Sequence, residues 1–166
     1  MNFLEELVAE WYEYKGYFCR TNIRFGRTGH GGHIGEMDVI AYHPNKREFI
    51  HIECSTDALS WEQKRIVFRK KFENAGKYYD SEFAFEKSSI EKIAITGFSK
   101  PKSESSRNFG LNIKVVLVSE FVTSIAKDLS VLDPWSVGIH ESTYPLLRAI
   151  QFGTFYLNKA NKKANK

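Results

Sequence analysis

The spacing of apolar residues predicts an alternation of helices and strands along this chain. Near the N-terminus, residues 2–15 carry Leu4, Leu7, Val8 and Trp11 at helical spacing, which predicts an amphipathic helix. Runs rich in aromatic, branched and other apolar residues are typical of strands. We expect strands at 17–25, 35–41, 50–55, 91–98 and 112–119. We expect three further helices at 60–79, 120–129 and 142–157.

The strands at 35–41 and 50–55 are expected to form a β-hairpin with an acid in each arm. The polar tip between them holds Pro44 and Asn45. If the hairpin closes about Asn45, paired positions sum to about 91, so Asp38 lies opposite Glu53. Two like charges that close are unfavourable unless a cation or a proton lies between them. The pair therefore requires a chemical explanation.

Apolar residues occur on both faces of this hairpin, which is typical of central strands in a sheet covered by helices. The predicted order is helix, three strands, helix, strand, strand and helix. It indicates an α/β fold with a central mixed sheet flanked by helices. We expect one domain over residues 1–157, followed by a basic flexible tail at 158–166.

Composition narrows the class of protein and of partner. The chain has 166 residues, a formal net charge of +4 and two cysteines, so a disulfide framework is not expected. No run approaches the length of a transmembrane helix, and acids near the N-terminus disfavour a signal peptide. We therefore expect a cytoplasmic protein without a membrane partner. The positive charge leans toward anionic partners.

Basic residues cluster in two segments. The segment 26–35 holds five glycines and is predicted either as a flexible hairpin connection or as a mobile loop over a substrate, with Arg27 and His33 among its contacts. The helix at 60–79 carries several cations close in sequence to the acidic pair. That arrangement suits a phosphodiester backbone, although a solvated helix face explains it equally well. The cations we expect to bind nucleic acid there are Lys64, Arg65, Arg69 and Lys71.

Three matching pieces make the sequence similar to a known superfamily. Glu5 lies on the first helix, Asp38 in Gly-Glu-Met-Asp-Val-Ile-Ala, and Glu53 in Ile-Glu-Cys-Ser. In this spacing the chain resembles the PD-(D/E)xK nucleases, with the closest likeness to archaeal Holliday-junction resolvases and restriction-endonuclease-like relatives. The resemblance covers about residues 3–80. It implies a restriction-endonuclease-like αβββαβ core and a metal-dependent endonuclease acting on nucleic acid, with DNA as the expected substrate.

The resemblance also implies a metal site. Asp38, Glu53 and the backbone carbonyl of Cys54 would bind Mg²⁺ or Mn²⁺, with Glu5 binding directly or through water. The ion would lower the pKa of a bound water and stabilise charge on the phosphate. Small nucleases of this fold are often dimers, so a homodimer stays open.

The sequence departs from the family at Ser55, where the motif has lysine. A serine cannot supply the cation that positions the water. Either a cation from the neighbouring helix replaces it, for which Lys64 is our first choice, or the chain is a degenerate nuclease fold that binds nucleic acid without cutting it. A protein-interaction module with an incidental acidic pair is a third alternative. A zinc site that includes His30 and His33 fits no standard spacing.

Overall fold

The computed structural model describes residues 2–83, 90–97, 101, 103 and 107–164, and side chains as far as residue 161. The first part of the chain holds α1 (Phe3–Tyr14), β1 (Phe18–Arg27), β2 (His33–His43), β3 (Glu48–Ser55) and α2 (Trp61–Gly76). The remaining elements are α3 (Tyr79–Glu82), β4 (Glu91–Thr96), β5 (Ile113–Leu117), α4 (Val118–Leu129) and α5 (Pro145–Ala164). The predicted order of helices and strands is confirmed.

The five strands form one mixed sheet in the order β1-β2-β3-β4-β5. The first three strands are antiparallel neighbours, whereas β3, β4 and β5 run parallel. The predicted α/β class with a mixed sheet flanked by helices is confirmed. The chain divides into two compact units, residues 1–117 and 118–166, each of which is described by itself.

Helices α1 and α2 both contact the sheet of the first unit. Helix α1 buries Leu4, Leu7, Val8 and Trp11 and contacts β1, β2 and β3. Asn2 caps its N-terminus, in a capping box with Glu5. Helix α2 packs Phe68 and Phe72 against Ala94, while Ala75 and Tyr79 pack against Ile40 and Phe49. Ile40 pairs with His51 and Phe49 with Tyr42 across the two strands, whereas Ala41 and Ile50, the next residues along each strand, pair with each other and point to the opposite face.

The hairpin between β2 and β3 has the predicted register. Val39 pairs with Ile52, Ile40 with His51 and Ala41 with Ile50, and each of these pairs sums to 91. The ladder ends at Val39 and Ile52. Asp38 and Glu53 are therefore the first positions beyond the last pair, at the point where the two strands separate.

The second unit contains helices α4 and α5, which contact each other. Gln151 of α5 is fully buried and serves as its polar centre, because its side chain accepts from the Ile139 N–H and donates to the Val137 carbonyl. Helix α5 continues to Ala164, so the flexible tail predicted from residue 158 is helical over most of its length, and residues 165–166 lie outside the described chain. No helix among the described residues has the length and apolar character needed to cross a membrane.

Candidate functional site

The acidic pair predicted from the hairpin is buried beside helix α2. Glu53 is fully buried and Asp38 is 7% exposed. The β2-β3 ladder ends at Ile52, two residues before Cys54, so the Cys54 N–H has no strand partner in that ladder and donates instead to Asp38 Oδ2 at 2.8 Å. This hydrogen bond fixes the Asp38 carboxylate against the backbone of β3.

Lys71 of α2 supplies the cation that the pair requires. Its ammonium donates to Asp38 Oδ1 at 3.2 Å and Oδ2 at 3.0 Å, and it also forms a hydrogen-bonded ion pair with Glu53 Oε2. The Lys71 side chain is 36% exposed, so the ammonium lies between the buried acids and solvent. One positive charge is thus shared by two carboxylates.

Burial and the neighbouring charges shift the pKa values of Asp38, Glu53 and Lys71. Burial, followed by the charge of Glu53, raises the pKa of Asp38 to about 6, although Lys71 opposes this shift. Burial also raises the pKa of Glu53. Burial by itself would lower the pKa of Lys71, but the charges of Glu53 and Asp38 outweigh it and raise that pKa above its ordinary value. The two carboxylates therefore keep Lys71 protonated, and Asp38 is the acid that can take up a proton close to neutral pH.

A buried chain of hydrogen bonds holds the other oxygen of Glu53. His51 Nε2 lies 2.8 Å from Glu53 Oε1, and His51 Nδ1 lies 2.6 Å from the Tyr79 hydroxyl. His51 is fully buried, and burial lowers its pKa to about 3, so the imidazole is neutral at pH 7. Neither contact was predicted from the sequence, because Tyr79 is 28 residues from His51 and only the packing of α3 brings them together.

The structure gives Lys64 a different position from the one expected. Lys64 is 1% exposed, and its ammonium donates to Thr96 Oγ1 at 3.0 Å and to the Gly97 carbonyl. The cation on the acidic pair is Lys71, two helical turns further along α2. The expectation that Lys64 lies beside the acidic pair is therefore wrong, because Lys71, on the same side of the same helix, makes that contact. Which cation replaces the motif lysine stays a prediction.

Ser55 and Glu5 serve local structure. Ser55 Oγ donates to Asp57 Oδ2 and accepts from the Asp57 N–H, each at 3.1 Å, in the turn after β3. Glu5 accepts from the Asn2 N–H in the capping box of α1. Its charge nevertheless contributes, after burial and after Asp38 and Glu53, to the raised pKa of the Cys54 thiol. A catalytic role for either residue stays a prediction.

The predicted nucleic-acid contacts differ in exposure: Arg27, His33, Arg65 and Arg69 are exposed, Lys71 is partly exposed, and Lys64 is buried, so Lys64 is not available to bind nucleic acid. Arg65 forms an exposed ion pair with Glu62, and Arg69 forms one with Glu73. Arg27 and His33 are exposed and face each other across the end of the β1-β2 hairpin. Both strands extend into the Gly-rich segment, so the hairpin connection consists of residues 28–32 alone. Its contact with a substrate stays a prediction.

Strand β1 carries an irregularity at the level of the acidic pair that the sequence analysis missed. Asn22 has φ +53°, and it lies between the pairs Thr21–Val39 and Ile23–Met37, which places it opposite Asp38. Met37 and Ile40 pack into the same apolar cluster, although odd and even positions of a regular strand point to opposite faces. Both strands therefore change face around Asp38, where β2 leaves β3.

The side chains and backbone present here fit a hard divalent cation. Mg²⁺ is commonly bound by one or two carboxylates, with waters and substrate phosphates as its other ligands. Asp38 and Glu53 would supply the carboxylates. The N–H and C=O of a strand residue point to the same side, so the Cys54 carbonyl faces the side on which Asp38 lies. Within the described residues, no group of three or more His, Cys, Asp or Glu side chains could hold a metal, which argues against a zinc site with His30 and His33.

Comparison with known proteins adds little to this description. No protein-family model matches the chain, and no curated protein matches it. Among solved structures, it is similar to the crystal structure of a protein of unknown function, AF1548, at 13% sequence identity and a TM-score of 0.49. The match covers 93% of this chain and 96% of that one.

Proposed function

We propose that this chain is a metal-dependent endonuclease that hydrolyses phosphodiester bonds of nucleic acid, with DNA as the favoured substrate. The observation that carries the proposal is the contact of Lys71 with both Asp38 and Glu53. The motif that the sequence resembles needs two acids and a lysine at one point, and Ser55 leaves the lysine missing from the strand. Lys71 supplies an ammonium at the same carboxylates from the neighbouring helix.

The residues around the acidic pair suit this chemistry in distinct ways. Asp38, Glu53 and the Cys54 carbonyl would hold Mg²⁺ or Mn²⁺, which when bound would acidify a water and neutralise charge on the phosphate. Lys71 retains its proton because both carboxylates stabilise it, so it acts as a fixed positive charge and hydrogen-bond donor. Arg65 and Arg69 project from the same helix, where they would bind the sugar-phosphate backbone.

One observation favours a second candidate function. The Lys71 ammonium already occupies the space between the two carboxylates and satisfies both of them. A lysine held in this way replaces a metal ion as the neutralising cation. The alternative is therefore a degenerate nuclease fold that binds nucleic acid without cutting it.

Cleavage of circular DNA tests the proposal directly. Supercoiled plasmid would be incubated with the protein in Mg²⁺, in Mn²⁺ and in EDTA, and nicked or linear product would be measured, with circular single-stranded DNA and a structured RNA as parallel substrates. We expect metal-dependent cleavage that Asp38→Asn and Glu53→Gln each reduce by about 100-fold or more. We expect Lys71→Met, which removes the ammonium from the two carboxylates, to reduce cleavage as well. Lys70→Met is its matched control, because Lys70 is exposed and makes no ion pair within the described chain.

Two outcomes would contradict the proposal. Cleavage that survives both acid substitutions would remove these residues from the active site. Binding of a labelled oligonucleotide without cleavage, whatever the metal, would favour the degenerate nuclease fold instead.

A further inference from the structure

Three buried side chains connect helix α3 to the acidic pair. Tyr79 is the first residue of α3 and is 8% exposed, while His51 and Glu53 on β3 are fully buried. Their hydrogen bonds run from the Tyr79 hydroxyl to His51 Nδ1 and from His51 Nε2 to Glu53 Oε1. Among the described contacts, this is the one that reaches Glu53 from the side away from Lys71.

The direction of these hydrogen bonds follows from the charges at the site. Lys71 pairs with Glu53 Oε2, which favours the ionised carboxylate, and an ionised carboxylate can only accept. His51 Nε2 must therefore carry a proton and donate it to Oε1. A neutral imidazole has a single ring proton, so Nδ1 is an acceptor and the Tyr79 hydroxyl donates to it.

Packing leaves the imidazole little freedom to leave this arrangement. The Phe72 ring of α2 lies 4.8 Å from the His51 ring, centroid to centroid, in an edge-to-face contact. The Tyr79 ring lies 5.7 Å away at 88°. A ring turned over about its Cβ–Cγ bond would present Cε1 to Glu53 and Cδ2 to the Tyr79 hydroxyl, so the hydrogen bond from Tyr79 favours the observed orientation.

We propose that Tyr79 is a positioning residue for the acidic pair, acting through His51 to hold Glu53 Oε1 so that Oε2 alone faces Lys71 and Asp38. The role deepens the proposed function and rests on it for its effect on metal binding. Residues that hydrogen-bond a metal-binding side chain fix its orientation, and their loss commonly weakens metal affinity by about 10–100-fold. Tyr79 would therefore affect cation binding without touching the cation.

Tyr79→Phe and Tyr78→Phe form a matched pair for the test. Both remove one hydroxyl from adjacent tyrosines, but Tyr78 packs against Phe25, with ring centroids 5.1 Å apart, and within the described part of the chain it forms no hydrogen bond with His51. Mn²⁺ alone is the probe, titrated by calorimetry into each folded variant. We expect Tyr79→Phe to weaken the Mn²⁺ affinity by about 10-fold and Tyr78→Phe to change it by less than twofold. Equal affinities for the two variants would overturn the inference, since a merely structural hydroxyl would not alter metal binding.

A metal-free measurement decides the inference if the wild-type protein binds no Mn²⁺, a result that would count against the proposed function. Nitrogen-15 NMR of His51 in EDTA distinguishes the two neutral tautomers. The inference expects the Nε2–H tautomer in the wild-type protein. An Nδ1–H tautomer would overturn it, because His51 would then donate to Tyr79 and could not donate to Glu53.

Discussion

Replacing Lys71 with methionine tests whether the lysine offsets the destabilising effect of two buried, neighbouring carboxylates. The substitution keeps the length and the apolar stem of the side chain but removes its charge. Asp38 and Glu53 would then face each other in a buried position with no cation between them. In the metal-free protein we expect a loss of stability that is large at alkaline pH and small at acid pH.

The size of the loss follows from the pKa of Asp38. Removing one partner of a buried ion pair costs about 3–5 kcal/mol, unless the remaining group loses its charge by changing its protonation state. The pKa of Asp38 is about 6 with Lys71 present, and removing the lysine can only raise it. At pH 8, two units above that value, protonating Asp38 costs at most about 3 kcal/mol. This cost sets the upper limit for the electrostatic part of the stability that Lys71→Met loses.

The pH dependence has a definite sign. A carboxyl whose pKa is higher in the folded than in the unfolded protein contributes stability at low pH and loses it as the pH rises through the folded value. For Asp38 in the wild-type protein this window lies between its ordinary pKa and about 6. In Lys71→Met the pKa of Asp38 is higher, so the additional loss caused by the substitution develops above pH 6. At pH 5 the pair holds a proton at little cost, so Lys71→Met should cost about 1 kcal/mol there, against about 2–3 kcal/mol at pH 8.

Urea denaturation in EDTA, followed by tryptophan fluorescence at pH 5 and pH 8, measures both values. Lys70→Met on the exposed side of the same helix is the control, and we expect it to change stability by less than about 0.5 kcal/mol at either pH. Equal losses for Lys71→Met at the two pH values would refute the reasoning, and so would a loss no larger than that of the control.

Three further predictions concern the scaffold. Leu111 has φ +56° and is 39% exposed, so Leu111→Gly should raise stability by about 1 kcal/mol in urea denaturation while Leu111→Ala should not. A Cβ at Gly35 would lie 2.6 Å from the Phe25 ring, so Gly35→Ala should lower stability by about 1–3 kcal/mol, and an unchanged melting temperature would contradict this contact. Gln151→Leu leaves the Ile139 N–H and the Val137 carbonyl without their partner, so we expect a loss of about 2–3 kcal/mol by thermal denaturation, whereas a neutral result would contradict a central role for this side chain.

The register of the β2-β3 hairpin was predictable because hairpin geometry and alternating side chains leave few solutions. The polar tip at Pro44 and Asn45 set the axis of the hairpin, and one axis fixes every pair between the strands. Asp38 and Glu53 were therefore identified as neighbours from the sequence. The change of face around Asn22 was not predictable in the same way, because it arises where β2 leaves β3 and gives no signal in the alternation of apolar residues.

The error over Lys64 shows what helical periodicity leaves undetermined. Lys64 and Lys71 are seven residues apart, so they lie on the same side of α2 but about 10 Å apart along its axis. Periodicity specifies the angle around a helix, whereas the axial level depends on how the helix is placed over the sheet. Helix α2 begins beyond the end of β3, which brings its first turn to Thr96 and Gly97 and its third to the acids. Distance in sequence from Ser55 was therefore the wrong criterion.

The charge balance at the pair bears on the choice between cutting and binding. When both carboxylates are ionised, Lys71 leaves Asp38 and Glu53 with a net charge of −1 in a place largely shielded from water. A phosphate approaching that point is repelled, because an anion meets a net negative charge. A bound divalent cation would change the local charge to +1 and make the same point attractive. Without a metal this surplus negative charge would oppose the binding of a phosphate at that point, so it favours the metal-dependent endonuclease over a fold that only binds nucleic acid.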